Sequence, residues 1–412
     1  MRRALVVALA VALLLTGAGA VSDAPTASAV DETPDRTGPL DDESAADTAT
    51  RSADPSYMSG DERSRRLELS GEARSDTVGS SWNLGARIAA SDGVLDSAYE
   101  ARTFRTTLDR SSLTGEARER LVAQRLQTIE DRTEALRAAE RRAVAAYARG
   151  DITTTNFTRT LVANDAEART LRRTVADLEG LSESESNGNF ALALQLRLET
   201  FYSPLRQRLA ASLRDGTANV RLSLRATEVG YVLGAVDNGS YYREALRYDN
   251  RQPEGPKSLT SNAELGDRQG EVYNVSSPGT QRLYRDAGAY VGRVVYSYAD
   301  TEITAFFDGG TGDAFFEQRH HVVEEMDRTT AVDERNGSVR MRVERTFSNG
   351  PIRVEITDPE TGEPIDTAVQ VGGERVGTTG EDGVLWVVEP AVSYAVTVTV
   401  DGTTISESVL LS

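Results

Sequence analysis

The sequence predicts a multidomain α+β protein: an N-terminal helical bundle or helical hairpin, a middle α+β domain with a mainly antiparallel sheet, and a C-terminal β-sandwich. Three observations predict it. Apolar residues recur every three or four positions between about residues 76 and 215. They alternate in short runs from 216 to 348, and from 349 onward short alternating runs are separated by Gly- and Pro-rich turns. The expected boundaries are 1–20 for a signal peptide, 21–75 for a disordered acidic linker, 76–215 for the helical bundle, 216–348 for the α+β domain and 349–412 for the sandwich.

The strongest helical segment runs from Glu116 to Arg149, with Val122, Leu126, Ile129, Leu136, Ala143 and Tyr147 on one stripe. Thr114 is the expected N-cap and Gly150 the terminating glycine. A second stripe, Phe157, Leu161, Ala168, Leu171, Val175 and Leu178, follows a short turn and predicts an antiparallel partner, with Asn164 filling a gap in the stripe. Phe190 to Leu198 alternates like a strand. Its Ala, Leu, Gln and Arg content favours helix, and the stripe Leu194, Leu198, Phe201, Leu205, Leu209, Leu213 continues it, with a break expected at Ser203-Pro204. An earlier helix around Ser81 to Leu108 would complete a bundle of about four. The heptad-like spacing is also that of a coiled coil. Alanine, asparagine and threonine in the stripes favour packing within the chain.

After Asp215 the period changes. Val220 to Leu224 and Tyr231 to Val236 alternate, with Asp237-Asn238-Gly239 as a turn signal. Tyr290 to Tyr298 and Thr301 to Phe307 predict a hairpin around Ala299-Asp300, and Ser338 to Phe347 another strand. In the tail, Ile352 to Ile356, Ala368 to Val371, Val384 to Val388 and Tyr394 to Val400 are strands, with a turn from Asp358 to Pro364.

The tail carries a resemblance. Thr361-Gly362-Glu363-Pro364-Ile365, then Gly377 to Gly383, then Tyr394-Ala395-Val396-Thr397-Val398, resembles the carboxypeptidase regulatory-like (transthyretin-like) sandwich over about 60 residues. It departs from that family in having Val392-Ser393 where a glycine commonly precedes the tyrosine. The resemblance implies an Ig- or transthyretin-like accessory module without catalysis. The whole chain also resembles halobacterial secreted proteins of unknown function.

Charge and leader bear on location. The chain holds 64 acidic residues and a formal net charge of −18, with Lys257 the single lysine among 46 basic residues and no cysteine. Such self-repulsion destabilises a compact state unless salt screens it, as halophiles exploit. Folding is therefore expected to depend on salt. Arg2 and Arg3, the apolar run Ala4 to Leu15 and Ala18-Gly19-Ala20 have the three parts of an export signal. The general secretory route fits better than the twin-arginine one, because the arginines abut the apolar run directly. The expected location is secreted or cell-surface, with a membrane tie only if the signal stays uncleaved. An envelope protein or a surface glycan is the expected partner. The surplus negative charge argues against nucleic acid.

Candidate chemistry is thin. His320 and His321 are the only histidines, and neighbours on a strand point to opposite faces. Without cysteine the usual Cys/His zinc site is excluded, and no Gly-x-Ser-x-Gly elbow or Gly-x4-Gly-Lys loop occurs. Asp308 to Asp313 reads as a glycine-rich connection rather than a calcium loop, because it lacks the alternate-position ligands of an EF-hand. Arg149-Gly150-Asp151 reads as a helix end. No catalytic residue, metal ligand or cofactor is assigned. Four sequons, at Asn156, Asn238, Asn274 and Asn336, are candidates for glycosylation. The sequence thus points to a noncatalytic exported envelope protein acting as a scaffold or interaction module. The alternative is an extracellular hydrolase or peptidase with its chemistry near His320 or His321.

Overall fold

The long stripe in the sequence becomes helix α1 (Glu116–Ala148), which buries Val122, Leu126, Ile129, Leu136 and Tyr147. Gly150, at φ +86°, turns the chain as the helix ends. Thr153 caps α2 (Thr154–Glu179) by accepting from the Asn156 backbone N–H, and α2 buries every residue of the second stripe together with Asn164. Helix α3 (Glu185–Leu198) runs into a 3₁₀ turn, Glu199–Phe201. Ser203 then caps α4 (Pro204–Asp215), its Oγ accepting from the Arg206 N–H at 3.1 Å. The strand-like alternation at Phe190 to Leu198 thus folds as helix, as its composition requires.

The computed structural model describes residues 57–58, 65–79, 102–103, 106, 115–215, 220–273, 280–285, 291–298 and 301–411, all within the unit Ser52–Ser412. The signal segment, most of the linker, Thr114, Asn274 and most of the helix expected over Ser81 to Leu108 lie outside these residues.

The strands are β1 (Tyr57–Met58), β2 (Arg66–Leu67), β3 (Arg74–Gly79), β4 (Arg221–Thr227), β5 (Gly230–Asp237), β6 (Ser240–Arg247), β7 (Thr280–Arg285), β8 (Val291–Tyr298), β9 (Thr301–Asp308) and β10 (Ala314–Val322). Helix α5 (Asn262–Tyr273) lies between β6 and β7. Strands β3 to β10 make one antiparallel sheet in the order β3-β4-β5-β6-β10-β9-β8-β7. The Asn238-Gly239 turn joins β5 to β6 in register Asp237↔Ser240, with φ of +48° and +71° at its two residues. This is the primed geometry that suits a twisted hairpin.

One face of this sheet packs under the helices. Tyr147, Phe157, Leu161, Leu205 and Leu209 share a core with Leu222, Leu224, Tyr231, Leu233, Leu246, Phe306 and Phe316. The helical region therefore shares a core with the sheet across residues 215 and 216. The farther parts of α1, α2 and α3 pack on one another through Leu126, Leu171, Val175 and Leu194. On the opposite face Leu67, Leu259, Leu265, Val272 and Tyr273 cover Val232, Ala245, Val294 and Phe307. Within the expected linker, Leu67 and Leu69 pack on this face, and Arg74 and Ser75 begin the edge strand β3. Leu67 is buried, and its N–H donates to Glu317 at 3.0 Å.

The C-terminal region is the expected sandwich, but it begins earlier. Strands β11 (Thr329–Asn336), β12 (Val339–Arg345), β13 (Pro351–Thr357) and β16 (Val384–Val388) form one sheet; β15 (Glu374–Thr378), β14 (Ala368–Val371), β17 (Tyr394–Val400) and β18 (Thr403–Val409) form the other. The expected boundary at Asn349 is corrected, because β12 pairs with β13 across it, Val343 opposite Val354. Tyr241, Val323, Met326 and Phe347, with Trp386 beside them, join the sandwich to the larger sheet.

Candidate functional site

The helix face of the sheet is not fully covered. Helix α2, the 3₁₀ turn and the start of α4 stand over β8, β9 and β10 and leave a cleft of about 540 Å³, within the usual range of ligand sites. Its wall is cationic: Arg169, Arg172 and Arg173 come from α2, and Arg293 reaches in from β8. Steps of three and four place Arg169, Arg172 and Arg173 on one helix face. Its floor is mixed, with Val295 and Phe306 beside Thr304, Glu302 and Gln318, and Tyr202 and Pro204 complete the rim.

Two carboxylates hold part of this wall. Arg172 Nη2 lies 3.1 Å from Glu199 Oε1, and Arg293 donates to Glu199 Oε2. Arg169 pairs with Asp165 through Nε at 2.9 Å and Nη2 at 3.1 Å, and it stacks over the Tyr202 ring at 4.2 Å. Arg173 is exposed; its Nε donates to the Arg169 carbonyl at 3.2 Å. Burial, reinforced by Glu199, raises the Tyr202 hydroxyl above its usual range, so that it stays protonated. The cleft can therefore hold and orient an anion, while its guanidinium groups are too basic to exchange protons near neutral pH.

The histidines fall on opposite faces, as strand alternation requires. His320 is on the helix face beyond the cleft, stacked on Tyr242 with ring centroids 4.8 Å apart, its Nε2 3.1 Å from Ser240 Oγ. Burial and then Arg208 lower its pKa, against the pull of Glu302, which stands opposite it in the register. His321 is buried on the other face, its Nδ1 2.9 Å from Thr301 Oγ1 and its ring stacked on Tyr241. Burial, with Arg319 and Arg66 adding to it, pushes its pKa well below that of a free imidazole.

The Asp308 loop is structural. Asp308 is fully buried, and its Oδ1 accepts from the N–H groups of Gln252, Gly310 and Thr311 at 3.0 to 3.1 Å. A Cβ at Gly310 would sit 2.1 Å from the Gln252 carbonyl oxygen, which explains the glycine. Among the described residues no group of three or more His, Cys, Asp or Glu is arranged to hold a metal ion. Nor is any helix among them long and apolar enough to cross a membrane. Of the sequons, Asn156 is exposed on α2, Asn238 lies at the β5–β6 turn, and Asn336 ends β11 with its amide donating to the Thr404 carbonyl at 3.1 Å.

Sequence reasoning missed the cleft. The spacing of Arg169, Arg172 and Arg173 was a usable signal, since three arginines share one face of a helix in an acidic chain. Arg293 is some 120 residues away in sequence and only the fold brings it there.

Fold and cleft together define a class: an α+β protein with a helix-covered antiparallel sheet, an arginine-lined cleft and an appended β-sandwich. The chain belongs to the family described as Domain of unknown function (DUF7096), whose model matches residues 1–219, more than half of its length. Residues 222–327 match a second description, Family of unknown function (DUF7094), and residues 330–407 match an archaeal fibronectin-III type-like domain. That last match starts within β11, in agreement with the sandwich boundary. No curated protein and no solved structure matches the chain.

Proposed function

We propose that this protein is a noncatalytic, exported cell-envelope component of a halophilic archaeon, acting as a scaffold or interaction module. The observation that carries this reading is the placement of the histidines: neither lines the cleft, whose wall is built from guanidinium groups that bind without reacting. The three-part leader supports export, and the charge of −18 with a single lysine supports a salt-rich setting. The match of the tail to an archaeal fibronectin-III type-like domain supports a role in contact; the carboxypeptidase regulatory-like turns fit the same accessory role. The partner is another envelope protein or a surface glycan. The test is crosslinking on intact cells in molar salt, through carboxylates because lysine is so scarce, followed by mass spectrometry. Recurrent links from one surface partner to the sandwich or the cleft rim, on a chain that begins near Val21, are expected. A cytoplasmic chain retaining Met1 would overturn the reading.

A second reading, an extracellular hydrolase, rests on the Ser240–His320 contact of 3.1 Å with Glu302 across the strand. It has the nucleophile–base pair of acyl-transfer enzymes, but no hydrogen bond joins Glu302 to His320 to orient the ring. Labelling by a fluorophosphonate probe that disappears in Ser240→Ala would favour this reading; an unlabelled wild type would remove it.

A further inference from the structure

We infer that the arginine-lined cleft binds a small amphiphilic carboxylate: one carboxylate joined to an apolar or aromatic body. The wall already accommodates this chemistry, because Arg172 and Arg293 converge from different elements on the two oxygens of Glu199. Beside them Arg173 projects from the next position of α2 with no carboxylate partner, its Nε tied only to a backbone carbonyl. A ligand carboxylate seated there would meet the Arg173 fork and the free edge of Arg172, the bidentate geometry that guanidinium groups favour. The body of the ligand would lie toward Phe306, Val295 and the Tyr202 ring, which supply apolar surface a few side chains away.

Charge selects the anion locally, against the sign of the whole molecule. Four guanidinium groups line the cleft against Glu199, Glu302 and the Asp165 that pairs with Arg169, a local surplus of positive charge, whereas the chain carries −18. In molar salt the Debye length is about 3 Å, so distant acidic residues no longer repel an incoming anion and contact pairs decide binding. An inorganic oxyanion would satisfy the arginines but leave the apolar floor wet, and a neutral amphiphile would offer Arg173 no charged acceptor. The inference rests on the noncatalytic reading in one respect only, that the ligand leaves unchanged. Turnover of the probe would sink that reading, and absent binding would sink this one.

The test is equilibrium dialysis and saturation-transfer NMR on the full chain in molar salt, using N-acetylphenylalanine as probe. N-acetylphenylalaninamide, inorganic phosphate and inorganic sulfate are the comparisons. Saturable binding of the acid is expected, with the amide and the inorganic ions much weaker. Arg173→Ala, an exposed change checked by circular dichroism, should weaken the acid about tenfold, the loss of one charge-assisted hydrogen bond. Arg159→Ala, on the same helix outside the cleft, should leave it unchanged. No saturable binding at concentrations on the order of 10 mM, equal binding of acid and amide, or equal loss in the two arginine variants would each overturn the inference.

Discussion

The sandwich and the central sheet are both antiparallel and both well buried, yet they are filled with different chemistry. The sandwich encloses Val339, Met341, Val343, Ile352, Val354, Ile356, Val369, Val396 and Val398. Its fully buried charge, Glu389, sits at one end, receiving Arg345, the Asn349 N–H and the Tyr394 hydroxyl. The central sheet instead carries charge through its middle. Under the helices, Arg206 is 0 % exposed and pairs with Glu140 at 2.9 Å and Glu244 at 2.7 Å. Ser203 also donates to Glu244, and Arg206 donates to the Tyr231 hydroxyl. On the opposite face Arg243 lies 2.7 Å from both Glu317 and Glu68, and Arg319 lies 2.9 Å from Glu317. An aliphatic interior tolerates volume-conserving change, whereas a buried ionic one fixes which strand meets which helix and fails when one member is lost.

The largest expected effect breaks the ionic interior at its centre. Burial opposes the charge on Arg206, but Glu140 and Glu244 outweigh it and raise its pKa well above the ordinary value. Arg206→Met would leave both carboxylates buried and uncompensated, a loss of about 3–5 kcal/mol. Replacing all three charges together by apolar residues should restore much of that. Chemical denaturation of both variants checks the comparison. A single variant as stable as wild type would mean that the network contributes little.

The next effect is carried by pH at the junction between the two regions. His321 sits buried there beside Tyr241, with Arg319 and Arg66 facing it. Its folded pKa lies well below the unfolded value, so above about pH 6.5 both states are neutral and no stability is lost. As pH falls through 6.5 toward the folded pKa, only the unfolded chain takes up the proton, and stability falls. Between pH 7 and pH 5 the loss should reach up to about 2 kcal/mol, and His321→Phe should flatten it. His320, also lowered, adds a smaller slope of the same sign. Denaturant midpoints at the two pH values in wild type and variant decide the matter. Parallel curves would place the pH dependence elsewhere.

The same contrast explains what was legible in the sequence. In the sandwich, strands over Ala368 to Val371, Val384 to Val388 and Tyr394 to Val400 coincide with β14, β16 and β17, because β14 and β17 alternate between an apolar inside and a polar or small outside, and β16 is a short, wholly apolar run between turns. The central strands β6 and β10 escaped. Their sequences, Ser-Tyr-Tyr-Arg-Glu-Ala-Leu-Arg and Ala-Phe-Phe-Glu-Gln-Arg-His-His-Val, put Arg243, Glu244, Glu317 and Arg319 at interior positions. A rule that sends charge outward finds no clean alternation in these runs and delimits neither strand. The cleft was hidden for a related reason. Arg169, Arg172 and Arg173 share one helix face, but only the fold sets Arg293 and Phe306 opposite them.

The smallest expected effect tests whether the sandwich follows the simpler rule. Ile356 is fully buried in β13, opposite Met341, among the apolar side chains of the sandwich core. Ile356→Val removes one methylene and leaves the β-branch, and thus the strand preference, intact. The cost should be the lost transfer energy plus a small cavity, about 0.5–1.5 kcal/mol, with little change between pH 7 and pH 5 because both histidines of the chain lie in β10, outside the sandwich. Calorimetric melting of the full chain checks the size, and repeating it at the two pH values checks the independence. A loss several times larger would mean that the aliphatic core is as unforgiving as the ionic one. The difference between the two interiors would then lie in their chemistry alone and not in their tolerance.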